Sequence, residues 1–373
     1  MQIDFHLGVT YVMSRLAGFD PQNANIIASS AQYVDDAIHE GTIFFNNSSL
    51  YNFTSSAHKM LDYRNFKALA NHRCWIPFHF IPANQLMEGA AHGTSDFVQR
   101  MICRPNSPIA KEVVQATIQS SGKAYSLHLL GVTLHAFVDT WAHQGFAGIS
   151  HKVNEIKDIL DADGNTDVDR KNYRDRYFKK GIHRPFWRKA IEAIASGLIS
   201  DTNPIGHGSV LSYPDQPYLN WKYIDWRGEV ITRDNPKDFC TAAFEMFNVL
   251  SAFRKQLGLN THSLSSEDFK NIETLISETT DMDPMVRLEK WHAAIQSGHF
   301  SFGNDTWLYK EIGEGSWLHQ SLGFLTHDEF ALKEVHYQEH FLSSHWKHLH
   351  DALFLHRFHL VHEILPKNKL CVA

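Results

Sequence analysis

Residues 128–146 read HLLGVTLHAFVDTWAHQGF, with His135, Asp139 and His143 at intervals of four. On an α-helix each step of four turns the side-chain direction by about 40° and climbs about 6 Å, so these groups share one stripe. His128, seven residues before His135, falls on the same stripe. Leu127, Leu130, Leu134 and Val138 mark a separate apolar face. A polar face turned to water usually carries Lys and Glu, and neither occurs between Ala124 and Ile149. Imidazole and carboxylate set among Phe, Trp and Leu point to buried ionisable groups, which need partners. A metal ion is a partner that fits this spacing.

Outward from this helix, helical periodicity dominates. Asp20-Pro21 reads as an N-cap with proline in the first turn, opening a helix that runs to about Gly41. Residues 42–56 are polar and loop-like, and residues 72–84, with two prolines, predict an irregular buried segment. Residues 109–146 read as long helix and 161–169 as a loop. Three prolines and two glycines bar residues 203–221 from regular helix. Helix resumes at 236–256, Ser265 and Asp268 form a capping-box pattern, and 327–364 is a His-rich, aromatic-rich helical end. Strand signals are few and short. The expected architecture is all-α: a catalytic domain over 1–256 and a helical C-terminal region over 257–373, divided in the LGLNTHSLSS stretch.

The 373 residues, 43% hydrophobic, suffice for a sizeable core. A net charge of -6 argues against a general polyanion binder. Cys74, Cys103, Cys240 and Cys371 form no CxxC pair, which fits reduced thiols. No apolar run is long enough to span a bilayer, and MQIDFHLGV does not read as a secretory signal. The expectation is a cytoplasmic protein, or one exported without a cleaved signal peptide. No Ser-His-Asp motif, P-loop or Rossmann glycine pattern occurs.

Twenty-five histidines set the chain apart, and position decides which of them matter. Asp4 and His6 precede a helical stretch; Asp35 and Asp36 stand in AQYVDDA; His79 stands in WIPFHFIP without a charged neighbour. His207 lies between two glycines in PIGHGSVLSYPD, with Asp215 following, and glycine permits close backbone approach. His151 and Glu155, four apart, compete with His207, although their surroundings are polar and surface-like.

In that order the elements resemble the zinc-dependent phospholipases C and the related single-strand-specific zinc nucleases, over about residues 1–225. The nearest likeness is to a bacterial branch carrying DFH, AQYVDD, PFH and GHG…YPD motifs. In that family an N-terminal residue and an early His bind one zinc, an Asp ends an x-Tyr-x-Asp motif, a His follows in an apolar segment, and a long helix gives His-x3-Asp and a further His. The resemblance implies two or three zinc ions held by Asp4, His6, Asp35, His79, His135, Asp139, His143 and His207. Asp4 would replace a terminal amino group, and Asp139 would bridge two ions. Asp36, His128, His151, Glu155 and Asp215 are further candidates. The family's x5 spacing after the Asp is x3 here, which shifts His143 by about half a turn.

The implied activity is hydrolysis of a phosphodiester, foremost a glycerophospholipid, with Asp35 accepting or steering the proton. The alternatives are a nuclease on the same scaffold, though no stable nucleic-acid complex is expected, and a non-catalytic metal-stabilised interaction protein. Nine Lys and Arg interleaved with aromatics over 169–189 suit contact with a membrane surface. The C-terminal histidines, among Trp346, Leu349, Phe354 and Phe358, suit packing or partner contact better than a second metal site.

Overall fold

The computed structural model describes residues 1–58, 68–86, 95–161, 163–168, 204–332 and 334–372. The basic stretch at 169–189 lies outside the described residues. The helices are α1 (Thr10–Leu16), which continues a π-helical turn at Asp4–Val9, then α2 (Pro21–Asp36), α3 (Ala68–Phe78), α4 (Asp96–Met101), α5 (Pro108–Gln119) and α6 (Ser126–Ala142). After these come α7 (Asn235–Gln256), α8 (Ser266–Glu278), α9 (Pro284–Gln296), α10 (Trp317–Leu322), α11 (His327–Leu332) and α12 (His345–Phe358).

Two antiparallel sheets correct the all-α expectation. β1 (Gly41–Phe44) pairs with β2 (Leu50–Phe53) in the stretch expected to be loop. β3 (Ile156–Leu160), β4 (Asn220–Asp225) and β5 (Val230–Asp234) form the second sheet, in that order. Both sheets are too short for a strong period-two pattern. β4 does alternate, burying Trp221, Tyr223 and Asp225. The Asp225 carboxylate accepts the backbone N–H groups of Arg227, Gly228 and Glu229, which closes the turn into β5.

Other boundaries also move. The expected 109–146 helix is two helices, because residues 120–125, with Gly122, interrupt it. The 72–84 segment begins as helix, with Pro77 in the last turn of α3. The Asp20 cap is present and accepts the Asn23 N–H at 2.9 Å. Ser265 accepts the Asp268 N–H at 3.0 Å in the same way.

The largest core cluster runs across residue 257. It joins Phe5, Val9 and Met13, Leu134 and Val138 of α6, and Phe239 and Leu250 of α7 to Trp291, Ile295, Phe300 and Leu360. A second cluster places α12 against α6 and the β1–β2 hairpin.

What brings α2 close enough to α6 to share a site is Gly131. A Cβ there would sit 2.2 Å from the Ile27 carbonyl oxygen and 2.7 Å from Ser30 Cβ. Gly131→Ala should therefore push the helices apart and lower stability by about 3 kcal/mol or more. At Gly122 a Cβ meets nothing within 4 Å. Denaturant unfolding of Gly131→Ala beside Gly122→Ala tests this; equal midpoints would refute the close-crossing argument.

Candidate metal centre

α6 presents its stripe inward. His135 and Asp139 are 0% and 1% exposed, and His143 follows directly as the helix C-cap. The Arg233 guanidinium donates to the Trp141 and Ala142 carbonyls at 2.9 and 3.1 Å, capping the end of α6 just before His143.

The hydrogen bonds of four histidines fix which ring nitrogen carries the proton. A backbone carbonyl only accepts, so the nitrogen facing it must be N–H. His135 donates from Nδ1 to the Ala31 carbonyl at 2.8 Å, and His79 donates from Nε2 to the Ser56 carbonyl at 3.0 Å. His143 donates from Nδ1 to the His79 carbonyl at 2.7 Å, and His207 from Nδ1 to the Leu211 carbonyl at 2.7 Å. The opposite nitrogen of each ring is left with a lone pair. Such carbonyl contacts are how metal-binding histidines are oriented.

These lone pairs converge with carboxylates in three adjoining groups: His6, Asp35 and His135; His79, His135 and Asp139; and His143, His207 and Asp215. Within each group the ligand atoms lie within 4.8 Å of one another. His79 Nδ1 and His135 Nε2 are 3.2 Å apart. Two lone pairs that close repel unless a cation or a proton lies between them. Burial holds His135 well below the ordinary imidazole range, which disfavours the proton. His6 stacks on His135 with ring centroids 3.7 Å apart. Among the described residues, both of its ring nitrogens are buried without a hydrogen-bond partner.

Asp139 stands between the groups. One oxygen lies 2.6 Å from the Met1 amino nitrogen and 3.2 Å from His6 Nε2. The other lies 3.3 Å from His135 Nε2 and 3.4 Å from His79 Nδ1. Burial alone would raise its carboxyl; His143, the Met1 ammonium, His135 and His6 outweigh burial and hold it well below the usual range. Asp215 is held low against burial in the same way, by His207, the Met1 ammonium and His143. Its oxygens lie 3.1 Å from His143 Nε2 and 3.4 Å from His207 Nε2. Burial pushes His6 and His207 down to about 4. Asp35 differs. Desolvation by the surrounding centre and then the Asp139 charge push its carboxyl above the usual range, although the side chain keeps 33% of its surface exposed and so forms the open side of the His79–His135 group.

The loop carrying His207 is built by close approach. Gly206 has φ +53, and a Cβ there would meet the Phe80 ring at 2.2 Å. Phe80 in turn stacks on His143 with centroids 4.6 Å apart. Asn154 pins the loop by donating to the Ala147, Ile149 and Pro204 carbonyls. Neither Asn154 nor Arg233 carries a sequence signal for this role, since their partners are distant carbonyls.

Five candidates go elsewhere. Asp4 pairs with Arg287 at 2.6 Å, and from its segment His6 and the Met1 amine reach the centre instead. Asp36 accepts from Gln32 at 3.0 Å and from the Tyr309 hydroxyl. His128 meets His345 at 3.1 Å across the α6–α12 contact, because a seven-residue step back along α6 from His135 carries it about 10 Å farther from Asp139 and the centre. His151 accepts the Val153 N–H at 3.1 Å, capping a short turn, and Glu155 is exposed. His207→Ala should therefore remove at least one metal equivalent, whereas His151→Ala keeps the wild-type count. Elemental analysis of the two purified variants checks this, and the reverse order would restore the His151–Glu155 pair.

Residues 1–364 match a family of unknown function, DUF6765. The chain belongs to that family. The match takes in both the centre and the C-terminal helices packed on it. No curated protein and no solved structure matches the chain. No helix among the described residues is long and apolar enough to cross a membrane.

Proposed function

We propose that the protein is a zinc-dependent hydrolase of phosphate esters, with phosphodiesters such as glycerophospholipids as the foremost substrates. The observation that carries the reading is the convergence of imidazole lone pairs whose N–H groups are already committed to carbonyls. Mixed nitrogen and oxygen donors suit zinc among the common divalent ions. His79, His135 and Asp139 would hold one ion, His143, His207 and Asp215 a second, and His6 with Asp139 a third. Bound zinc supplies charge neutralisation for a phosphoryl group and a more acidic water.

The chain's own residues supply the rest. Asp35 is the carboxyl on the open side of the centre, so it would take up and release the proton of the attacking water. Asp139 and Asp215 stay charged and fix the centre's negative balance. The carbonyl contacts keep the imidazoles from rotating during turnover.

Metal analysis of protein purified without chelator, followed by assays on phosphatidylcholine vesicles, single-stranded DNA and a chromogenic phosphodiester, tests the reading. Two or three zinc ions and headgroup release are expected. Metal without activity on any of the three would favour a metal-stabilised interaction protein. Preference for DNA would favour the nuclease.

A further inference from the structure

We infer that Arg287, in the C-terminal half of the chain, is a positioning residue for the ion held by His6; this rests on the metal reading above. Its side chain is fully buried on α9 and reaches back across the core to the first residues. The guanidinium donates to both Asp4 oxygens, at 2.6 and 3.1 Å, to the Gln2 side-chain oxygen, and to the Asp281 carbonyl at 2.6 Å. A planar fork with this many fixed donors sets direction as well as distance, which a lysine could not reproduce. Trp291, one turn further along α9, packs on Gly8 so closely that a Cβ there would sit 3.0 Å from its ring.

Gln2, just before the π-helical turn Asp4–Val9, and Asp4 and Gly8 within it bracket His6. His6 has no carbonyl acceptor of its own, unlike the four histidines held by hydrogen bonds. Its ring is placed by stacking on His135, by the Asp139 oxygen 3.2 Å from Nε2 and by whatever fixes the turn that bears it. Asp4 therefore serves the centre through Arg287 rather than as a ligand. The C-terminal region contributes directly to assembling a site whose ligands all precede residue 216.

The test uses the full chain. Arg287→Met combined with Asp4→Asn removes both charges together, so neither is left buried alone. Arg15→Met with Asp305→Asn is the matched control, because that pair, at 2.5 Å, also joins an N-terminal helix to the C-terminal half but does not hold the His6 turn. Cobalt(II) titration followed by absorption, with elemental analysis, reads the number and affinity of bound ions without relying on activity.

The first double variant should bind one ion at least roughly 10-fold more weakly, while the control keeps the wild-type pattern. Gln2→Leu leaves the ion pair in place and should weaken the same ion to a lesser degree, which keeps the test decidable if the double variant does not fold. Wild-type count and affinity in a folded double variant, or in Gln2→Leu where that is the only folded protein, would overturn the inference. A wild-type chain that takes up no metal would overturn the metal reading and this inference with it.

Discussion

Asp139→Asn should strip the ions that Asp139 would hold with His79, His135 and His6 and abolish phosphoesterase activity while leaving the helices in place. The carboxylate is 1% exposed and sits within 3.6 Å of His6, His79, His135, His143 and the Met1 amine. No other carboxylate of the centre faces all of these groups. Asparagine keeps the shape and removes the charge that lets dications lie close together. It also puts an amide N–H₂ among nitrogens that must offer lone pairs. The loss of affinity should exceed the 10–100-fold typical of changes to outer-shell partners. The apolar face of α6, with Leu130, Leu134 and Val138 in the main core, is untouched. Circular dichroism, elemental analysis and a phosphodiester assay on one preparation decide the matter. A folded variant with wild-type metal content would mean that the stripe is structural.

The α6 stripe was legible because it depends on local spacing. His135 and Asp139 lie together as the period of 3.6 requires, and the shortened spacing to His143 still brings its imidazole into a group with His207 and Asp215, since His143 caps the helix rather than continuing it. His79 and His207 were legible by environment: an apolar bracket for one, flanking glycines for the other. Asp4 was misplaced for a physical reason. Its partner Arg287 is 283 residues away, and one sequence does not say which buried carboxylate meets an arginine and which meets histidines. Asp36 was ambiguous with Asp35 for the same reason, until Tyr309 and Gln32 are seen to claim it. The sheets were missed because four-to-six-residue strands leave too little alternation to outweigh the polar and turn-forming residues beside them.

The C-terminal histidines that sequence assigned to packing should make the protein acid-sensitive apart from any metal. His356 donates from Nε2 to the Pro77 carbonyl at 2.8 Å and meets the Thr133 hydroxyl at 3.1 Å through Nδ1, linking α12 to α3 and α6. His350 accepts the Thr54 N–H through Nδ1 at 3.3 Å, so protonation there would set a donor against a donor. Burial pushes His356 down to about 4 and, with His327 adding to it, His350 down to about 3. Unfolded, each titrates near 6.5. The folded state therefore binds fewer protons. The stability these residues contribute is intact above pH 6.5 and is lost as pH falls below it toward the folded values. At pH 5 each costs about 2 kcal/mol, so the pair costs about 4 kcal/mol out of a typical total of about 5–15 kcal/mol. Between pH 7.5 and 5, with chelator present so that metal release does not contribute, Tm should fall by roughly 5 °C or more. His350→Gln with His356→Gln removes these two titrations, and the drop in that variant should shrink by roughly 5 °C, the rest coming from His6, His135 and His207 of the metal-free centre. A Tm that stays level down to pH 5, or a variant that falls as steeply as wild type, would show that these imidazoles titrate freely and are not locked neutral between α12, α3 and α6.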